Sequence, residues 1–288
     1  MKVFFCWYQS ANVESFSPSA AKPEQVFNDW TERMLITMGD KRNPKCLDAE
    51  DMYIAHDKAY IDGIMDCTIA NGFGNKSRDV ASTIRFTTGS MLSAAEYAIE
   101  HNEHTCSPTS GFHHAGYNFA GGYCTVNGLM IAAMSLHKSG KAKTVGILDL
   151  DFHLGNGTID IIKRLDAKHV KHRTSGARFH NRRDAGENAT SYFKWLEDAI
   201  EHMHDCDVIL YQAGADAWVD DPLGGCLTLE ELQQRDRMVF EGFQGKPLAW
   251  CLAGGYAKDD AGSIEPVLAI HRQTALECIC ASGKAQLQ

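Results

Sequence analysis

Residues 145–158, VGILDLDFHLGNGT, constrain the fold of this chain more than any other stretch. The apolar residues Val145, Ile147 and Leu148 lead into polar ones at every second position. That is the pattern of a buried strand whose C-terminal end opens into a site. Strand geometry puts Asp149, Asp151 and His153 on one side as the strand gives way to a loop. Gly155-Asn156-Gly157 then turns the chain, and residues 158–165 read as the following helix. Two carboxylates and an imidazole are costly to bury without a partner, and a divalent metal is the simplest one.

The rest of the chain supplies the frame. Strands are predicted over residues 2–8, 208–212 (VILYQ) and 247–252 (PLAWCL), with a short strand-like piece at 52–56 (MYIAH). Residues 10–22 read as a polar loop. Helices are predicted over 23–38, the second part of 49–66, 87–100, 127–138, 190–203 and 263–282. Strands alternating with helices imply an α/β protein with a mainly parallel sheet covered by helices on both faces. Sites in such sheets gather beyond the carboxyl ends of the strands. Three predicted strands end in polar or glycine-rich loops, which supply Asp151 with His153, Asp216, and Tyr256. No Pro/Ser/Gly-rich linker and no repeat interrupts the 288 residues, so a single domain over 1–288 is expected.

Residues 106–128, CSPTSGFHHAGYNFAGGYCTVNG, are too rich in turn residues for a regular element. They carry the adjacent pair His113-His114 between Gly111 and Gly116, followed by Gly121-Gly122-Tyr123-Cys124. Loops of this composition let backbone and ligand approach closely. Asp151, His153 and Asp216 would give a metal two oxygens and one nitrogen, leaving open the positions that metal-assisted hydrolysis requires. His113 and His114 are then the natural acid–base pair. Asp149 and Asn156 bracket the ligands and are placed to orient the two imidazoles. Tyr256 could set its hydroxyl on a developing oxyanion. His56 reads as a packing or capping histidine. His169, His172 and His180, irregularly spaced in a polar segment, receive no ligand role.

Composition narrows the setting. A net charge of −9 argues against a general nucleic-acid binder. The ten cysteines are scattered and mostly in apolar runs, as reduced core thiols of a cytoplasmic protein would be. No run approaches the length of a membrane span, and VFFCWY is too short for a signal peptide.

GFHHAGYNFAGGYC, DLDFHLGNG, QAGADAWVDDPLGG and LAGGY stand in an order and spacing that resemble the histone deacetylase family, both its class II members and the bacterial acetylpolyamine amidohydrolases. AEDMYIAHDKAYIDG and the TTGSMLSAA helix resemble the family's earlier segments, so the likeness runs from about residue 49 to the end. The resemblance implies an arginase–deacetylase fold with a single eight-stranded, mainly parallel sheet. It implies one Zn2+ per chain, held by Asp151, His153 and Asp216, and allows a structural K+. It makes Asp149 the partner of His113, Asn156 that of His114, and Tyr256 the group that polarises the substrate carbonyl. Gly122, Tyr123 and Leu223 fall where substrate is bound. The implied substrate is acyl-lysine or a related acylated amine such as an acetylpolyamine, and acetate is the product.

The chain departs from the family pattern at several points. Phe112 precedes the histidine pair where glycine is common, and Leu154 replaces a frequent second histidine. Tyr123 stands where a phenylalanine usually lines the acyl tunnel. Residues 168–188 do not match the usual opposite wall, for which Phe179 is the candidate. Leu223 occupies the place of a glutamate in a polyamine-selective relative, which favours an aliphatic acyl-lysine tunnel. A binuclear manganese ureohydrolase of the arginase type would need further carboxylates where Gly155 and Trp218 stand. A non-catalytic acyl or small-molecule binding protein would be expected to have lost a ligand or the tyrosine, and all are present. Oligomeric state is unconstrained.

Overall fold

The computed structural model describes residues 1–283. Among them, seven strands form one sheet: β1 (Lys2–Phe4), β2 (Lys41–Arg42), β3 (His104–Ser107), β4 (Val145–Asp149), β5 (Val170–Thr174), β6 (Val208–Gln212) and β7 (Leu248–Cys251). The order is β2-β1-β3-β7-β6-β4-β5 and every pairing is parallel. The sheet thus has one strand fewer than the eight expected.

Successive residues of the central strands enter opposite cores. Leu148, Ile209, Tyr211, Leu248 and Trp250 pack on one face, against residues of the helices Lys22–Glu32, Thr190–His202, Leu229–Gly242 and Glu265–Ala281. Ile147, Leu210, Ala249 and Cys251 pack on the other, against Lys58–Met65, Arg78–His101 and Gly128–Lys138. Burial on both faces is why these strands read as continuous apolar runs. Each fully buried aliphatic side chain contributes about 2 kcal/mol, so truncating one such as Leu148 costs about 2–5 kcal/mol.

Several expected elements change character. Residues 52–56 are not a strand. Asp48 and Asp51 form a capping box that starts the short helix Ala49–Met52, and a turn follows. The first strand stops at Phe4, and Trp7–Gln9 is a 3-10 turn. The helix predicted from residue 87 begins at Arg78, where Ser77 caps the Val80 N–H, and ends at Asn102 in the left-handed region. Strands β2, β3 and β5 carry no apolar run that marks them in the sequence. The first is two residues long, β3 (HTCS) is polar, and edge strand β5 (VKHRT) is buried only at its ends.

All ten cysteines are free thiols, six of them buried. Among the described residues, no helix is long and apolar enough to cross a membrane.

Candidate metal centre and catalytic site

Four neighbouring strands, β3, β7, β6 and β4, deliver the site from their carboxyl ends. β4 runs into Asp151 and His153, β6 into Asp216 on a 3-10 turn, β7 into Tyr256, and β3 into the loop of His113 and His114. Ligand atoms of Asp151, His153 and Asp216 lie within 4.8 Å of one another, the one such group among the described residues. His153 Nδ1 is 3.2 Å from Asp151 Oδ1 and 3.0 Å from Asp216 Oδ2. The backbone shapes this cup. The Gly254 N–H donates to Asp151 Oδ2 at 2.8 Å, and the Phe152 N–H donates to Asp216 Oδ1 at 3.2 Å. A Cβ on Gly254 would stand 2.1 Å from Asp216 Oδ2, so a side chain there would push into the carboxylates.

The electrostatics call for a cation. Burial and then the neighbouring Asp151 charge raise the Asp216 carboxyl to about 7. Hydrogen bonds to Asp151 and Asp216 raise His153 to about 11, so the two carboxylates favour positive charge between them. Two carboxylate oxygens and one imidazole suit a divalent ion with an open coordination position, as in catalytic zinc sites.

The tandem histidines differ in their partners. His113 Nδ1 donates to Asp149 Oδ2 at 2.8 Å, and His114 Nδ1 donates to Asn156 Oδ1 at 2.6 Å. The two rings are 4.1 Å apart, and the His114 ring is 5.9 Å from that of His153. Burial opposes charge on His113, but Asp149 and Asp151 outweigh it and raise the imidazole to about 9. Burial and the His113 charge both push His114 below the ordinary histidine value. Gly122, at φ +51°, carries its backbone so close to the His114 ring that a Cβ would lie 2.2 Å from it.

Tyr256 is buried with its ring 5.7 Å from Tyr123, whose own ring is 5.7 Å from Phe73. Burial, then Asp216 and Asp151, hold its phenol well above the ordinary tyrosine value, so it stays a hydroxyl donor. Leu223 stands exposed on the 221–224 turn, which lies against Phe152 at Gly224. Phe179 is not an outer wall. It is buried between Tyr192 and Trp195 in the core, whereas half-buried Phe152 has its ring 5.4 Å from His153.

Other residues escaped the sequence reading. Gln212, the last residue of β6, donates to Asp149 Oδ1 at 3.0 Å and accepts from the Phe112 N–H at 3.3 Å. Lys22 is fully buried and donates to the Ala253 carbonyl at 2.6 Å. Arg235, also buried, donates through Nη1 to Gly214 O at 2.7 Å and Leu150 O at 3.3 Å, behind two candidate ligands. Only Gln212, at the end of a buried strand, carried a local signal; Lys22 and Arg235 look like ordinary charged helix residues. His172, given no role, lies with Nε2 3.8 Å from Asp149 Oδ2. His56 is a packing histidine as expected, bridging the Gly116 carbonyl and the Asn127 N–H, each at 2.9 Å.

Comparison with known proteins agrees with this architecture. The chain matches the family model of the histone deacetylase domain over residues 19–174 and 166–269. It is 28% identical over 238 residues to acetylpolyamine amidohydrolase 1 of Pseudomonas aeruginosa, covering 70% of this chain and 67% of that one. It is 29% identical over 195 residues to an uncharacterized protein of Picosynechococcus, covering 62% of this chain and 64% of that one, so it spans about two thirds of these relatives. Histone deacetylase 6 of Caenorhabditis elegans is 27% identical over 213 residues, covering 62% of this chain and 22% of that one. The acetylpolyamine aminohydrolase from Burkholderia pseudomallei superposes with a TM-score of 0.74 at 16% identity, covering 98% of this chain and 99% of that one. The HDA15 HD domain superposes with a TM-score of 0.74 at 18% identity, covering 99% and 97%. The sheet is that of the arginase–deacetylase fold, and the chain belongs to the histone deacetylase family.

Proposed function

We propose that this chain is a zinc-dependent amidohydrolase that removes an acetyl or related acyl group from the nitrogen of acyl-lysine or another acylated amine. The observation that carries the reading is the convergence of Asp151, His153 and Asp216 with His113, His114 and Tyr256 at one end of one sheet. One zinc per chain would be held by Asp151, His153 and Asp216. When bound there, it supplies Lewis acidity toward an amide carbonyl and a water molecule.

The side chains supply the rest. His114 donates through Nδ1 to Asn156, which leaves Nε2 as the acceptor for a proton from the attacking water. The same nitrogen then returns that proton to the amine as the C–N bond breaks, giving acetate and free amine. His113, held by Asp149, acts through charge and hydrogen bonding. The Tyr256 hydroxyl donates to the carbonyl oxygen as negative charge develops on it. Gly122, Tyr123 and Leu223 would line the path of the acyl-bearing chain. Ser175, whose hydroxyl donates to the Asp151 carbonyl at 2.8 Å, belongs to residues 168–188, the segment that departs from the family pattern and from which a structural potassium site would partly be built. The ten free thiols suit a reducing cytoplasm.

The test is metal analysis of the purified protein with turnover on acetyl-lysine peptides and acetylated polyamines. One zinc per chain with release of acetate is the expected result. A fully zinc-loaded protein that releases acetate from neither panel would overturn the reading.

A further inference from the structure

Asp221 is a buried carboxylate whose side-chain hydrogen bonds are all to backbone N–H groups. Oδ2 accepts from Tyr256 N at 2.7 Å and Ala257 N at 3.2 Å, and Oδ1 accepts from Leu223 N at 3.0 Å. One side chain therefore ties the 221–224 turn, which presents Leu223, to the main chain of Tyr256. The segment leading to Tyr256 does not hold itself. Ala253 has φ +54° and Gly255 has φ +138°, so neither belongs to a regular element. Outside fixtures hold it instead: Lys22 on the Ala253 carbonyl, Asp151 on the Gly254 N–H, and the Ala215 N–H on the Gly254 carbonyl. At Tyr256 itself the fixture is Asp221.

We propose that Asp221 is a positioning residue for the reaction: it sets the Tyr256 phenol by fixing that residue's backbone against the Leu223 turn. The inference rests on the role given to Tyr256 above. Its chemistry follows from counting acceptors. A carboxylate offers an oxygen to each side of the bridge. An amide offers one oxygen, and its NH2 group would meet an N–H donor on the other side. Asp221→Asn thus keeps size and shape but cannot keep both halves of the bridge.

The experiment is a double-mutant cycle between Asp221→Asn and Tyr256→Phe, read as kcat and KM on an acetyl-lysine peptide with zinc content measured for every variant. Asp221→Asn should lower kcat by about 10–100-fold, the cost of a misplaced catalytic group, with KM and zinc content near those of the parent. In the Tyr256→Phe background the same substitution should change kcat by less than about twofold, because the hydroxyl it positions is already gone. If Asp221→Asn does not fold, Asp221→Ser, which keeps one acceptor, carries the same cycle. Losses that multiply in the double variant, or an Asp221→Asn enzyme at full kcat, would overturn this inference while leaving the deacetylase reading intact. Full turnover by Tyr256→Phe would instead remove the role of Tyr256 and this inference with it.

Discussion

His114 leans on a neutral amide, Asn156, at 2.6 Å, whereas its neighbour His113 leans on a buried carboxylate. The carboxylate favours the imidazolium of His113, and nothing equivalent favours that of His114. On the proposed function, His114 would then be the neutral base of the resting site. His114→Ala is expected to lose nearly all activity, and His113→Ala to keep a small measurable fraction. Pre-steady-state turnover at equal zinc content checks this. Equal losses, or a larger one at His113, would refute the division of labour.

Tyr256→Phe should keep the fold and the metal while losing about a hundredfold or more in turnover, as for a lost oxyanion donor. An unchanged rate would mean that the phenol takes no part in polarising the carbonyl.

Asp151→Ala and Asp216→Ala should each abolish both zinc binding and activity. In the parent protein, chelation should lower the melting temperature, because two buried carboxylates lose their cation. At a thousandfold excess of metal over its dissociation constant, the linked stabilisation is about 4 kcal/mol. A melting temperature indifferent to chelator, or an Asp216→Ala variant with stoichiometric zinc, would contradict the ligand assignment.

His56 makes stability depend on pH. Burial lowers its folded-state pKa from 6.5 to about 4, outweighing the hydrogen bond to the Gly116 carbonyl, which favours the protonated ring. Between those values the unfolded chain takes up a proton that the folded one refuses. The contribution is therefore complete above pH 6.5 and is lost as pH falls toward 4. Its size is about 3 kcal/mol. Against His56→Gln, which can donate and accept but does not titrate, the parent's advantage in urea unfolding should shrink as pH drops from neutral through this range. A gap that stays constant with pH would show that the imidazole is not held neutral.

The sequence by itself determined what is local. A buried strand ending in DLDFHLGNG has to place Asp149, Asp151 and His153 at its mouth, because residue alternation and the following turn leave little freedom. The glycines beside His113-His114 and before Tyr256 likewise mark where backbone must come close, and Gly122 and Gly254 do so. Only the tertiary structure decided which strands are neighbours. The run β3-β7-β6-β4 brings four distant segments to one edge, and nothing in one strand names the next. The edge strand β5 was hidden because its exposed middle is polar, and Phe179 went to the core because Tyr192 and Trp195, from a later helix, enclose it. Lys22 gains its role from a hydrogen bond to backbone 231 residues away, Gln212 from one 100 residues away, Arg235 from bonds 85 and 21 residues away, and Asp221 from bonds 35 and 36 residues away. Such bonds depend on where chain folding delivers a carbonyl or an N–H group, and no side-chain pattern along the sequence encodes that.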